Sequence, residues 1–524
     1  MALCSLRKPR FSRLLSRSLA FFSVTFSIYR FSDRSPSSRE VTYLFGPSQH
    51  HPIDDLIQNA TTTFNTLISK QTTSRTETAY AYRQRRGRHP PPGFDVWYEF
   101  ASAHNTIVVE DFFDRIYDDL RPFWGISPKQ IRLQAKQLPS SVVVRNGKVL
   151  TGKGESHRVD EWVDMVQKIQ QFLPDLDMPL NLLDEPRVTV PWEDVAHYIA
   201  TESSSRKLHA VETVVQNFTT IDMNDDTPPD QAALIIKGPY WEQNNDILLP
   251  AFSYWQEESD YATGPAHGPP WEQKSTRIMW RGIASGGRNT RKTWTRFHRH
   301  RFVALMNASS IRRAEDPHLS SPTFLFEPYT SYLQMNVTDL AGWMDTIADV
   351  AFTKLYCFDS ARGEDCPHMS SHYKVKKEVP MYKQFKAKYL PDVDGNAFSG
   401  RYLAFLRSSS VPIKATLYSE WHDSRLIPWL HFVPMHSSFG DLYGILEYFV
   451  GYRTRIGADS GTKVILEGSH DEQARRIAMA GKEWAEKVLR KEDMLVYLLR
   501  LLLEYRRVCE DERELLGWVG DLIA

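Results

Sequence analysis

The sequence predicts an α/β protein with a parallel sheet and a helical C-terminal region. Two patterns carry this. Short apolar runs of strand length alternate with segments whose apolar residues recur at helical spacing, as in strands joined by crossover helices. Residues 466–524 then keep helical periodicity with no further strand pattern. The length, 524 residues, exceeds one ordinary core, because domains usually run about 100–200 residues.

At the N-terminus, Arg7, Lys8, Arg10, Arg13 and Arg17 precede a mostly apolar run from Leu19 to Tyr29, broken by Ser23, Thr25 and Ser27. The run is shorter than the ~20 residues that span a bilayer. Residues 1–30 therefore read as a signal peptide or a weak signal anchor. A mitochondrial presequence is the alternative, since no acid precedes Asp33. Residues 31–85, rich in Ser and Thr, read as a stem or linker with one short helix around Ile53 to Lys70. His89-Pro-Pro-Pro-Gly93 is a stiff, non-helical entry to the folded body. Phe112, Ile116 and Leu120 then share a helical face.

Ser141–Arg145, Pro179–Leu183, Ala232–Ile236 and His431–Pro434 read as buried strands. Val159–Leu173, Phe302–Met306 and Gly440–Phe449 read as helices between them. Ser469-His-Asp-Glu472 has the form of a capping box opening a helix with Ile477, Trp484 and Val488 on one face. A second packing helix follows from Met494 to Val508.

Composition narrows the function. Lys and Arg number 64, as do Asp and Glu, so no global field draws the protein onto nucleic acid, and a nucleic-acid partner is not expected. Basic clusters at Arg83–Arg88 and Arg288–Arg301 are local. The chain has 14 Trp, 23 Tyr and 27 Phe, enough both to fill a large core and to line a sugar cleft. Cys357 and Cys366 would close a small loop as a disulfide in an oxidising compartment and stay thiols in a reducing one. Glycosylation sequons begin at Asn59, Asn217, Asn307 and Asn336. Together these features point to the secretory lumen. The phosphate-binding P-loop, Gly-x-Gly-x-x-Gly, His-Glu-x-x-His and Gly-x-Ser-x-Gly are all missing from the sequence, which argues against the enzyme classes they mark. Asp392-Val-Asp394 is either a divalent-metal pair or a turn after a strand.

Three segments carry the chemistry. Asp184 follows the run Pro179–Leu183 and precedes Pro186, at a strand's C-terminal end, where open α/β sheets present groups to ligands. Trp280-Arg281-Gly282 leads into Ser285-Gly-Gly-Arg288, a loop whose amides and guanidinium groups suit anionic oxygens. Asn396-Ala397-Phe398-Ser399-Gly400-Arg401 precedes an apolar helix, with Arg401 placed in its first turn.

Trp-Arg-Gly at 280–282, Asp-Gly-Asn through Ser-Gly-Arg at 394–401 and Pro-Trp-x-His-x-x-Pro at 428–434, in this order, resemble glycosyltransferase family 90. Pro-Pro-Pro-Gly-Phe-Asp-x-Trp at 90–97 is similar to its fungal branch of capsule-associated xylosyltransferases. The resemblance implies two Rossmann-like lobes of GT-B type. They would be an N-terminal lobe (86–255) with the acceptor side and base, a donor lobe (256–465), and C-terminal helices (466–524). It implies inverting transfer of a sugar, xylose or glucose, from a UDP-sugar to a hydroxyl of a glycan or glycoprotein, with no cofactor and no required metal. That last point weighs against a metal at Asp392 and Asp394.

The family's base falls on Asp184 and its donor-binding positions on Arg281, Gly282 and Asn396–Arg401. One of Arg288, Arg291 and Arg296 would join them, and Glu420 would hold the donor ribose. Asp246, Pro250, Phe252 and Trp255 lie in the acceptor-side segment. Cys357 and Cys366 stand where relatives carry cysteines. Ile283 departs from the Ser common at that position. The expected location is the Golgi or endoplasmic reticulum lumen, with a type II membrane topology if the N-terminus is uncleaved. The alternatives are a non-catalytic carbohydrate-binding scaffold, a metal-dependent transferase using Asp392 and Asp394, and RNA binding through Arg288–Arg301.

Overall fold

The computed structural model describes residues 50–523 except 138–140, 152–156, 184–189, 219–245, 257–266, 317, 320–322, 324–331, 333–338, 359–365, 457–462 and 468. The N-terminal leader or anchor, Asp184, the Ala232–Ile236 run and the Asn336 sequon lie outside the described residues. Among the described residues no helix is long and apolar enough to cross a membrane.

The N-terminal half contains a three-stranded antiparallel sheet: β1 (Ser141–Arg145), β2 (Lys148–Thr151) and β3 (Leu176–Pro179), in the order β2-β1-β3. Ser141–Arg145 is thus a strand, as its apolar run requires, but its partners run antiparallel. For β2 the cause is the two-residue link Asn146-Gly147. Both residues are left-handed, φ 51° and 68°, and Arg145 pairs directly with Lys148. That is hairpin geometry, for which Asn-Gly is suited. The strand expected at Pro179–Leu183 ends at Pro179.

The second sheet is the parallel one. Its strands are β4 (Ser275–Ile283), β5 (Ala348–Lys354), β6 (Ala387–Val393), β7 (Val411–Ala415) and β8 (Val433–Pro434), in the order β5-β4-β6-β7-β8. Every residue of β6 and β7 is buried, as expected where both faces of a parallel sheet are covered. The chain winds outward from β4 to β5, then crosses back to β6. The winding therefore reverses between β4 and β6, and a crevice opens beyond the C-terminal ends of those two strands. A hairpin of β9 (Tyr452–Ile456) and β10 (Lys463–Glu467) follows.

Two large apolar clusters hold the fold. One surrounds the parallel sheet, with Trp280 edge-on to Phe302 and Phe352, ring centroids 5.9 Å apart in each pair. The other gathers Trp97, Phe113, Tyr497 and Leu501 and extends to Tyr402 and Trp421 from the sheet's own connections. The residues expected to form a stem are part of these cores. Helices Pro52–Ile68 and Arg75–Arg86 bury Ile53 and Tyr82 completely, and the Tyr82 hydroxyl donates to Glu504 at 2.9 Å. Their Ser and Thr face solvent or bond back to the helix, which is why the segment reads as a linker in sequence.

The C-terminal helices are Asp471–Val488 and Lys491–Val508, and the second is buried along its length after Asp493. The predicted capping box does not form. The N-cap is His470, stacked on Tyr448 at 3.8 Å, while the Ser469 hydroxyl donates to Phe449 O and Glu472 pairs with Arg475 and Arg476.

His431 lies between Trp484, with rings stacked at 5.8 Å, and the edge of Phe64. Its Nδ1 accepts from the Ile427 amide, 2.9 Å, which fixes a neutral ring protonated on Nε2. Burial pushes its pKa down to about 3, and likewise that of His300, while His298 falls to about 4. Below the ordinary 6.5 the unfolded chain takes up protons that these folded rings refuse. Their stabilising effect is therefore complete above 6.5 and is lost as the pH falls. The His431 share is read by difference: in urea unfolding, the stability of wild type relative to His431→Gln should fall between about pH 6 and 4 by up to about 1.4 kcal/mol per pH unit.

Candidate active site

The crevice at the β4/β6 reversal collects most of the sequence-predicted donor residues. Beyond β4 the chain turns through Gly286 and Gly287, φ 135° and 114°, values that disfavour side chains. Beyond β6 it turns through Gly395 and Asn396. The Asn396 side-chain oxygen accepts the amides of Gly286 and Gly287, at 3.1 and 3.2 Å, and so joins the two loops. Arg299, on the helix His298–Leu305, clamps the same junction. It donates to Ile283 O (3.1 Å), Ser285 Oγ (2.7 Å) and Val393 O (3.4 Å). A Cβ on Gly395 would sit 2.9 Å from the Arg299 guanidinium, so a side chain there would push the clamp aside.

Arg288, Arg291 and Arg296 are all exposed around this loop. Among the described residues, the Arg288 and Arg296 side chains have no partner.

Arg281 is placed differently. Its guanidinium turns along the sheet to Asp349 of β5, 2.7 Å away, and also donates to Trp280 O and Asp349 O. Gly282 lets the Trp280 ring lie against the strand, since a Cβ would come within 2.8 Å of it. Arg401 directly precedes the helix Tyr402–Arg407, one residue before the turn expected to hold it. It donates to Arg281 O at 2.7 Å and to Ser399 Oγ at 3.2 Å, with its guanidinium 5.2 Å from the Trp280 ring centre. Ala397 and Ser399 are buried, and Phe398 and Gly400 half-buried, along the same turn.

The two aspartates of Asp392-Val-Asp394 face different partners. Asp392 is 2% exposed and sits opposite Lys414 in the β6–β7 register. Burial raises its pKa, opposed by Lys414, Arg401 and the Ser399 hydroxyl. Asp394 accepts from the Thr416 hydroxyl at 2.6 Å and the Leu417 amide at 2.7 Å. Burial pushes its carboxyl up to about 7.

Glu420 accepts from Lys414 Nζ at 2.9 Å and from the Tyr254 hydroxyl at 2.7 Å. Lys414 also lies 3.7 Å from the Tyr402 ring centre. Burial works against its charge, yet Glu420, Asp423 and Asp392 outweigh that and raise its pKa. Tyr254 belongs to the short helix Phe252–Trp255, so the expected acceptor-side segment touches the donor-side sheet at this point. Phe398 lies edge-on to Tyr254 at 6.1 Å.

The rest of that segment reaches toward the Asp184 strand. Asn181 donates to Asp246 at 3.2 Å, and both are buried. Pro250 is buried, Phe252 half-buried, and Trp255 donates through its indole to Asp164, 2.7 Å away. Asp184 itself lies outside the described residues.

Three residues were missed in the sequence. Arg299 was one of many cations in a basic stretch, and its carbonyl acceptors lie at the ends of two strands. Lys414 stood in an apolar run, where its single charge signalled little. Tyr254 was overlooked between Phe252 and Trp255. A lysine inside a buried strand beside a nearby Glu is the one signal that could have been read.

Cys357 and Cys366 form a disulfide with Cα atoms 6.0 Å apart. Asn59 and Asn217 are exposed, whereas the Asn307 side chain caps a helix by accepting from the Ser310 amide. Glycine turns, arginines and hydroxyls thus gather at the C-terminal ends of β4 and β6. Such a set suits an anionic, polyhydroxylated ligand.

Comparison with known proteins agrees with this chemistry. The chain is similar to protein O-glucosyltransferase 2 of Danio rerio, 28% identical over 174 residues, which is 33% of this chain and 30% of that protein. It is also similar to protein O-glucosyltransferase 3 of Mus musculus and of Rattus norvegicus, 31% identical over 130 residues in each case. Those matches cover 25% of this chain and 22% of each relative, so less than a third of any of the three is spanned. Residues 239–513, more than half of the chain, match the model of glycosyl transferase family 90. The protein belongs to glycosyl transferase family 90.

Proposed function

We propose that the protein is an inverting glycosyltransferase that moves a sugar, xylose or glucose, from a UDP-sugar to a hydroxyl of a glycan or glycoprotein. The observation that supports this best is the joining of the Gly286–Gly287 and Asn396–Arg401 loops at the sheet's reversal point, with Tyr254 bonded to Glu420 beside them. In this reading Asp184 takes the proton of the acceptor hydroxyl as its oxygen attacks the anomeric carbon. Arg401, one exposed Arg of the 288–296 loop and the amides near Ser399 stabilise the charge that grows on the departing diphosphate. A ribose hydroxyl reaches Glu420 by replacing the Tyr254 hydroxyl. No metal is needed, because fixed cations and amides supply the countercharge.

The lobes of this GT-B arrangement are 86–255 and 256–465, closing over the substrates, with the C-terminal helices packed behind. The disulfide and the exposed Asn59 and Asn217 sequons favour the Golgi or endoplasmic reticulum lumen, reached through the N-terminal leader or anchor.

A donor screen tests this. Purified protein is given UDP- and GDP-sugars with mannose-containing acceptors, with and without EDTA, and nucleoside diphosphate release is followed. Release from one UDP-sugar that survives EDTA is expected. Release abolished by EDTA and restored by manganese would sink metal independence. No release from any donor would favour a non-catalytic carbohydrate-binding protein.

A further inference from the structure

Just past β5, two aromatic side chains stand in solvent. Tyr356 is 39% and Phe358 51% exposed, with ring centroids 5.4 Å apart at 85°. Single exposed apolar residues need no explanation. This pair is different, because its backbone is fixed at three points. Cys357, between the two rings, is completely buried and disulfide-bonded to Cys366. Asn289, also completely buried, donates from its side-chain amide to Tyr356 O at 2.6 Å. The Asn289 carbonyl accepts the Phe358 amide at 2.7 Å. The rings are therefore anchored to the loop after β4 that carries Gly286, Gly287 and Arg288.

We infer that Tyr356 and Phe358 form a platform for the acceptor glycan, holding sugar units beyond the one that reacts. This rests on the transferase reading above. A protein partner typically covers ~800 Å² on each side, far more than two rings supply. One or two sugar units fit instead, with their C–H faces on the rings and their hydroxyls left in water. The stapled backbone fixes the points from which the rings emerge, so little backbone freedom is lost on binding.

The test compares wild type with Tyr356→Ala/Phe358→Ala on mannose acceptors from mono- to tetrasaccharide, with one UDP-sugar as donor. The KM for the tetrasaccharide should rise about tenfold while donor KM and monosaccharide KM move less than about twofold. Tyr356→Phe/Phe358→Tyr should restore the wild-type value. An unchanged tetrasaccharide KM in the alanine variant would overturn the platform. If only a folded protein acceptor loses affinity, the surface is a protein contact and the glycan assignment is wrong. Should wild type turn over no donor, the transferase reading fails by itself. Saturation-transfer NMR of the tetrasaccharide on both proteins then decides the platform, which requires a signal in wild type that the alanine variant loses.

Discussion

Asp184→Asn is expected to lower kcat by about 10²–10⁴-fold while donor affinity and thermal stability stay close to wild type. The amide keeps the shape of the carboxylate and loses its capacity to take a proton. Asn181 is buried and bonded to Asp246, and its side-chain oxygen accepts the Leu183 amide at 2.9 Å. By Leu183, 48% exposed, the chain has reached the surface. Residues 181–183 therefore pass from a buried anchor to the surface. Steady-state kinetics with calorimetric donor titration checks both halves of the expectation. A variant with full kcat would remove Asp184 as the base, and one that no longer binds donor would assign it to donor recognition.

The second large effect is on stability. Lys414→Met should destabilise the protein by about 3–5 kcal/mol, because a buried ion pair that loses one member leaves the other charge without compensation. Lys414 is 7% exposed, 2.9 Å from Glu420 and opposite Asp392 in the adjacent strand. Both carboxylates are buried, so methionine would fill the space and leave two acids without their nearest cation. Chemical unfolding of Lys414→Met, Glu420→Gln and the double variant measures the coupling. The double variant should be less destabilised than the sum of the two. Strict additivity would mean that the pair is not coupled, and a Lys414→Met loss below about 1 kcal/mol would mean that water reaches this pocket.

What the sequence showed and what it hid follow from the range of the interactions. The loops after β4 and β6 were legible through their glycines and arginines, whereas β6 and β7 did not stand out as strands because Lys388, Asp392 and Lys414 interrupt their apolar runs. The β1–β2 hairpin is marked in the sequence by Asn146-Gly147, a turn signal that the apolar run alone does not carry. The capping box at Ser469 failed because Tyr448, distant in sequence, offers His470 a ring to stack on. The first two helices were hidden for the same reason. Ile53, Ala60 and Ala79, inserted into cores built by later residues, show that the segment is not a linker. Arg281 carried the right residue type, yet its nearest carboxylate, Asp349, lies on a strand that the sequence did not place beside it.

The docking of those first helices has a consequence for how the chain is made. The Tyr448 hydroxyl bonds Asp54 across 394 positions, Tyr82 bonds Glu504 across 422, and Arg83 bonds Asp521 across 438. On the ribosome the N-terminal segment must wait for nearly the whole polypeptide before its burial sites exist. Contacts of this range are slow to form, and the apolar faces they cover stay exposed meanwhile. A C-terminal truncation that removes Glu504 is thus expected to unseat the helix Arg75–Arg86, more than 400 positions away.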